Sequence, residues 1–173
     1  MTLYSRYFRE PGTNYFLFGP RGTGKSTLIR QLHPHALWID LLRPDLERSL
    51  LSTPEKLLQM IEGSPEKKVV VIDEIQKVPA LLNIVHMVIE RKQGHQFVLN
   101  GSSSRKLKRT GANLLGGRAY KKTLHPFIAS ELKTDFQLER ALNFGLLPLL
   151  IEAKDPSLPI EQFLQNLTPD SIL

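Results

Sequence analysis

Two short stretches of this chain hold side chains and glycines at spacings that suit phosphate chemistry. The first is Gly19-Pro20-Arg21-Gly22-Thr23-Gly24-Lys25-Ser26, followed by Thr27. It fits the spacing G-x-x-x-x-G-K-[ST], in which a loop wraps around phosphate oxygens. Glycines let backbone N–H groups turn inward with no Cβ in the way. A helix starting directly behind the loop adds the partial positive charge of its N-terminus. Lys25 has the length to meet terminal phosphates, and the Ser26 hydroxyl is a hard ligand for Mg²⁺. Residues 19–27 are therefore the expected nucleotide-binding set, although Arg21 inside the loop can equally be a solvated side chain.

The second stretch is Val69-Val70-Val71-Ile72-Asp73-Glu74, an apolar run ending in two acids. This is the Walker B pattern. At the carboxyl end of a strand, Asp73 is placed to hold Mg²⁺ through water beside the phosphate loop. Glu74 is then the expected base that orients and deprotonates a water; otherwise it is a helix-capping or surface carboxylate. A third run, Phe97-Val98-Leu99-Asn100-Gly101-Ser102-Ser103-Ser104, ends in small polar residues. Ser102 and Ser103 are the preferred partners of the γ-phosphate or the water, with Asn100 as the alternative and a plain polar turn as the bland reading. Arg118, after Gly116-Gly117, is a candidate arginine finger for a neighbouring subunit's nucleotide. It can also sense phosphate in its own subunit, or do neither.

The elements needed to position these groups are legible. Strands are expected at Tyr15–Phe18, Leu37–Asp40, Val69–Asp73, Phe97–Asn100 and Ala119–Leu124. Helices are expected at Lys25–Leu32, Pro44–Leu51, Pro54–Ile61, Pro79–Arg91 and Gln137–Asn143, the third capped by Ser52 or Thr53 ahead of Pro54. Strands alternating with helices argue an α/β layer fold around a parallel sheet. After residue 143 the chain is broken by Pro148, Pro156, Pro159 and Pro169. The apolar stretch Leu146–Ile151 has no evident cover, and Ile160–Leu167 suits one short amphipathic helix.

Composition narrows the class further. A chain of 173 residues suits one core. Cysteine is absent, which excludes disulfides and thiolate metal sites. His33-Pro34-His35 lacks the partners of a metal site and reads as a loop. No apolar run is long enough to cross a membrane, and no signal-peptide core is visible, so a cytoplasmic protein is expected. The net charge of +6 is uneven: residues 1–129 carry 20 basic against 10 acidic side chains, and residues 130–173 carry 3 against 7. The segment Arg105–Lys122 holds seven Lys or Arg and no acid, a surface for nucleic acid, for nucleotide phosphates or merely for solvent. Leu132-Lys133-Thr134-Asp135 falls short of the Asn-Lys-x-Asp pattern that reads guanine, which favours adenine.

Taken together, Phe16–Thr27, Val71–Pro79 and Leu99–Ser104 resemble the prokaryotic AAA-type P-loop ATPases that carry a C-terminal domain of unknown function. Gly117-Arg118-Ala119 and Leu124-His125-Pro126-Phe127 fit the same resemblance, which extends to about Pro156. It implies a three-layer αβα sandwich of the P-loop NTPase kind, with a parallel sheet of AAA+-like order 51432, and Mg-ATP as ligand. Members of that family are more than twice this length. The expected organisation is thus an ATP-binding core at 1–129 and a helical or irregular extension at 130–173, a remnant of the second domain. The expected activity is Mg-dependent ATP hydrolysis. Its rivals are an ATP-binding module that does not turn over alone, and an ATPase linked to nucleic acid. A homo-oligomer is expected, because the Leu146–Ile151 stretch would be left open.

Overall fold

A computed structural model describes residues 4–102, 107, 115–153 and 155. Five parallel strands form its sheet: β1 Tyr15–Phe18, β2 Leu37–Asp40, β3 Val69–Asp73, β4 Gln96–Asn100 and β5 Tyr120–Thr123. Their spatial order is β2-β3-β4-β1-β5, which is the expected 51432 read from the other edge. β4 thus lies between the strand that leads into the phosphate loop and the strand that ends in Asp73.

Strand parity separates two apolar faces. Phe16, Phe18, Val70, Ile72, Phe97 and Leu99 face one way. They meet buried residues of α2 Pro44–Ser52, α3 Lys56–Glu62 and α4 Leu81–Glu90. Tyr15, Leu17, Val71 and Val98 face the other way, against Leu28 and Ile29 of α1 Lys25–Leu32. Helices on both faces explain why the central strands are continuous apolar runs. Each fully buried Leu, Ile, Val or Phe contributes about 1.5–3 kcal/mol. Asn14 closes the lower end of the sheet: its Oδ1 accepts from Phe97 N at 2.8 Å and its Nδ2 donates to the Arg118 carbonyl at 3.2 Å.

Three expectations of local structure shift. α3 begins at Lys56, because the Lys56 and Leu57 amides bond three residues back, to Thr53 and Pro54, in a tight turn. Ser52 ends α2 instead of capping α3, and no side-chain cap forms. α4 likewise starts at Leu81, after a turn in which Leu81, Leu82 and Asn83 donate to Val78, Pro79 and Ala80. The apolar stretch Leu146–Ile151 is half-buried rather than fully open. Pro148–Glu152 is a helix with Leu150 buried, and Arg140 Nη2 donates to the carbonyls of Leu150 (2.7 Å) and Ala153 (2.5 Å) at its C-terminal end. Leu138 and Leu142, one turn apart on the helix Leu138–Phe144, are among the exposed apolar side chains. Ile160–Leu167 lies outside the described residues.

Candidate functional site

The loop between β1 and α1 has the backbone that its glycines permit. Gly19, Gly22 and Gly24 all have positive φ, at 149°, 77° and 84°. At Gly19 there is a steric reason as well: a Cβ would stand 2.1 Å from the Leu124 carbonyl oxygen, where β5 ends against the loop. α1 starts at Lys25 with no side-chain cap on its first amides. Those N–H groups have no partner inside the helix and are available to an anion.

Lys25 is buried, and its Nζ donates to the carbonyls of Gly19 and Pro20, each at 2.8 Å. Burial lowers its pKa, opposed by the carboxylates of Glu74 and then Asp73, while Arg21 adds to the lowering. Thr23, fully buried, locks the loop by donating from Oγ1 to the Pro20 carbonyl at 3.0 Å. Arg21 and Pro20 are exposed, and Thr27 is half-buried behind the loop.

Ser26, Asp73 and Asn100 converge. Ser26 Oγ donates to Asp73 Oδ2 at 3.0 Å, and Asn100 Nδ2 donates to Asp73 Oδ1 at 2.5 Å and to Ser26 Oγ at 3.1 Å. Asp73 and Asn100 are almost wholly buried. Burial raises the Asp73 pKa, an effect the Ser26 hydrogen bond opposes. The buried Asn100 Oδ1 finds no donor among the described residues. A hydroxyl and a buried carboxylate side by side form a hard oxygen donor set that fits Mg²⁺.

Glu74 leaves the strand in the left-handed conformation, φ 59° and ψ 44°. This turn takes its side chain off the apolar face where strand alternation would otherwise put it. Its carboxylate accepts from Gln76 Nε2, which also reaches Ser102 Oγ at 3.3 Å.

Of the expected residues, the structure brings together the phosphate loop, Ser26, Asp73 and Glu74, with Ser102 joined through Gln76. Asn100, the alternative to Ser102 and Ser103, is the residue of its strand that touches both Asp73 and Ser26. Ser103 lies outside the described residues. Arg118 sits at the opposite end of the sheet from its own phosphate loop, exposed and bonded to Glu90 of α4. Sequence reasoning missed Arg6, Gln76 and Glu131. Arg6 Nη1 donates to the Thr23 carbonyl at 2.8 Å, and its Nε meets Glu131 Oε1 at 3.1 Å.

An AAA domain matches residues 12–133, most of the chain. The chain belongs to the AAA domain family. No curated relative matches the sequence. Among solved structures, the Walker-type ATPase PABY2304 of Pyrococcus abyssi is similar with a TM-score of 0.56 at 18% identity. The match covers 87% of this chain and 66% of that one. The Pif1 helicase of Candida albicans has a TM-score of 0.40 at 18% identity, covering 91% of this chain and 45% of that one. Domain III of the Thermotoga maritima replication initiation protein DnaA has a TM-score of 0.39 at 14% identity, covering 94% and 83%. The fold of this AAA domain is that of the P-loop NTPases, which places it at a general level with ATP-binding proteins and ATPases. No helix among the described residues is long and apolar enough to cross a membrane.

Proposed function

We propose that this AAA domain binds Mg-ATP at residues 19–27 and hydrolyses it to ADP and phosphate. The observation that carries the reading is the meeting of Ser26 with Asp73 at 3.0 Å across 47 positions of sequence, beside the buried Lys25. The loop amides and Lys25 hold the phosphates. Ser26 and Asp73 hold Mg²⁺, which when bound neutralises charge on the phosphate oxygens. Glu74 accepts a proton from water as the water oxygen bonds to the γ-phosphorus and the bond to the ADP oxygen breaks. Asn100 joins Ser102 and Ser103 as a candidate for contacting the γ-phosphate or the attacking water, its unpartnered Oδ1 being an acceptor for the water O–H.

Turnover of Mg-ATP by purified protein, wild type against Glu74→Gln, tests the reading. The variant keeps shape and is expected to bind ATP normally while losing most turnover. Turnover within about twofold of wild type removes Glu74 as the base. Binding without phosphate release in a single-turnover experiment with wild type makes the chain an ATP-binding module instead.

Residues 1–129 are read as the ATP-binding core and 130–173 as an extension; the helix Ala129–Leu132 straddles the boundary, and Arg6 holds its Glu131 to the core. A cytoplasmic setting and a homo-oligomer belong to the same proposal. Nucleic acid remains the second partner class. Exposed Lys121, beside Tyr120 on edge strand β5, belongs to the basic segment and favours it, and DNA-stimulated turnover that fades steeply with salt is its test.

A further inference from the structure

Gln76 lies two residues beyond Glu74, in the tight turn Ile75–Lys77 that follows β3. Its amide nitrogen is shared between the Glu74 carboxylate and Ser102 Oγ, 26 positions further on at the end of β4. An ionised carboxylate only accepts, so the side facing Glu74 must be the NH₂ group, and this fixes the orientation of the amide. The other side, Oε1, is buried without a donor among the described residues. It presses on Gly101, where a Cβ would stand 2.5 Å from it. Gly101 carries no positive φ. Its lack of a side chain is therefore a matter of space for Gln76.

Glu74 needs such support. It is the last side chain before the turn, its backbone is left-handed, and no other hydrogen bond to its carboxylate occurs among the described residues. We propose that Gln76 is a positioning residue that holds the Glu74 carboxylate at the phosphate site by bridging it to Ser102 at the end of β4. This rests on the reading of Glu74 as the base. A base held within hydrogen-bond reach of its water is worth orders of magnitude in rate, and a loose one forfeits much of that.

The test is steady-state ATP hydrolysis by the full chain, with affinity and melting temperature measured in parallel. Gln76→Met keeps length and removes the donor. It is expected to lower kcat at least tenfold while KM and ATP affinity stay within about twofold. Gly101→Ala should act in the same direction, because the added Cβ displaces the flexible end of Gln76 and leaves the backbone in place. In a Glu74→Gln background, Gln76→Met should cause no further loss, since it acts only through the carboxylate. An unchanged kcat in Gln76→Met, or an equal further loss in the Glu74→Gln background, overturns the proposal. If Glu74→Gln itself keeps wild-type turnover, it is the reading of the base that fails, and the two failures are thereby distinguished.

Discussion

Arg6 and Glu131 form an ion pair across 125 positions of sequence, at 3.1 Å, with side chains only 7% and 6% exposed. The guanidinium also donates to the carbonyls of Thr23, His125 and Pro126 and lies 4.5 Å from the Phe127 ring centroid. The carboxylate also accepts from the Tyr7 and Ile128 amides. One buried pair thus joins the N-terminal arm, the phosphate loop and the segment after β5.

Arg6→Ala leaves Glu131 buried without its cation, a change that costs about 3–5 kcal/mol. In a domain of this size that lowers Tm by roughly 6–20 °C. ATP affinity should fall as well, because Thr23 loses the donor on its carbonyl. Arg6→Lys should restore little, since an ammonium cannot serve the carbonyls and the carboxylate in one plane. Thermal melts and calorimetry read both effects, and a Tm shift under about 2 °C contradicts this role.

Lys25→Ala removes the cation facing the phosphates. Affinity for Mg-ATP and Mg-ADP should drop at least about tenfold, or roughly 1.4 kcal/mol. Titration calorimetry decides it, and unchanged affinity removes the loop as the phosphate site.

Asp73 should respond to pH in the sense opposite to an ordinary paired carboxylate. Burial raises its folded-state pKa above 3.8, with the Ser26 and Asn100 hydrogen bonds in opposition. Its stabilising contribution is full below pH 3.8 and is lost as pH rises through the raised folded value. Asp73→Asn should therefore raise the Tm of nucleotide-free protein at pH 7, with a gain that shrinks toward pH 4. The same variant should lose the extra stabilisation that Mg²⁺ adds to ATP. Melts at pH 4 and pH 7, with and without Mg-ATP, check both; a gain that grows toward acid pH reverses the argument.

Arg118 is turned away from its own loop, so any work on nucleotide must be done on a neighbour's. Arg118→Ala is then expected to lower turnover only where the wild-type rate rises faster than linearly with protein concentration. Mixing Arg118→Ala with Lys25→Ala chains should recover part of that rate, because one intact site can form between them. No recovery between chains shown to associate leaves Arg118 as the partner of Glu90 and nothing more.

The elements were legible where breakers bound apolar runs. β1, β2, β3 and α1 start and stop as expected, and β4 begins one residue early at Gln96. Helix starts were less legible at Pro54 and Pro79, where a tight turn precedes the helix and local preference does not distinguish the two. The phosphate loop and the Asp73-Glu74 pair announce themselves by spacing. Which residue of β4 meets Asp73 is set by sheet register (Leu17↔Asn100, Ile72↔Leu99), and a single sequence does not carry that register. The Arg6–Glu131 pair gave no local signal, since its two members lie 125 positions apart. Gln76 had one faint signal, a glycine at 101 with no turn geometry to require it.

The place of β1 between β4 and β5 has a consequence for how the protein is made. Tyr15–Phe18 leaves the ribosome before the other four strands of the sheet, yet Asn14, just ahead of it, bonds to Phe97, 83 positions later, and to Arg118, 104 positions later. At about 5–20 residues per second, roughly 4–16 s pass before β4 follows it out. For that interval the most buried strand of the molecule has no neighbour to pair with, and the residues of the phosphate loop exist without the loop. A nascent chain halted short of Asn100 should carry the whole glycine-rich sequence and bind no nucleotide.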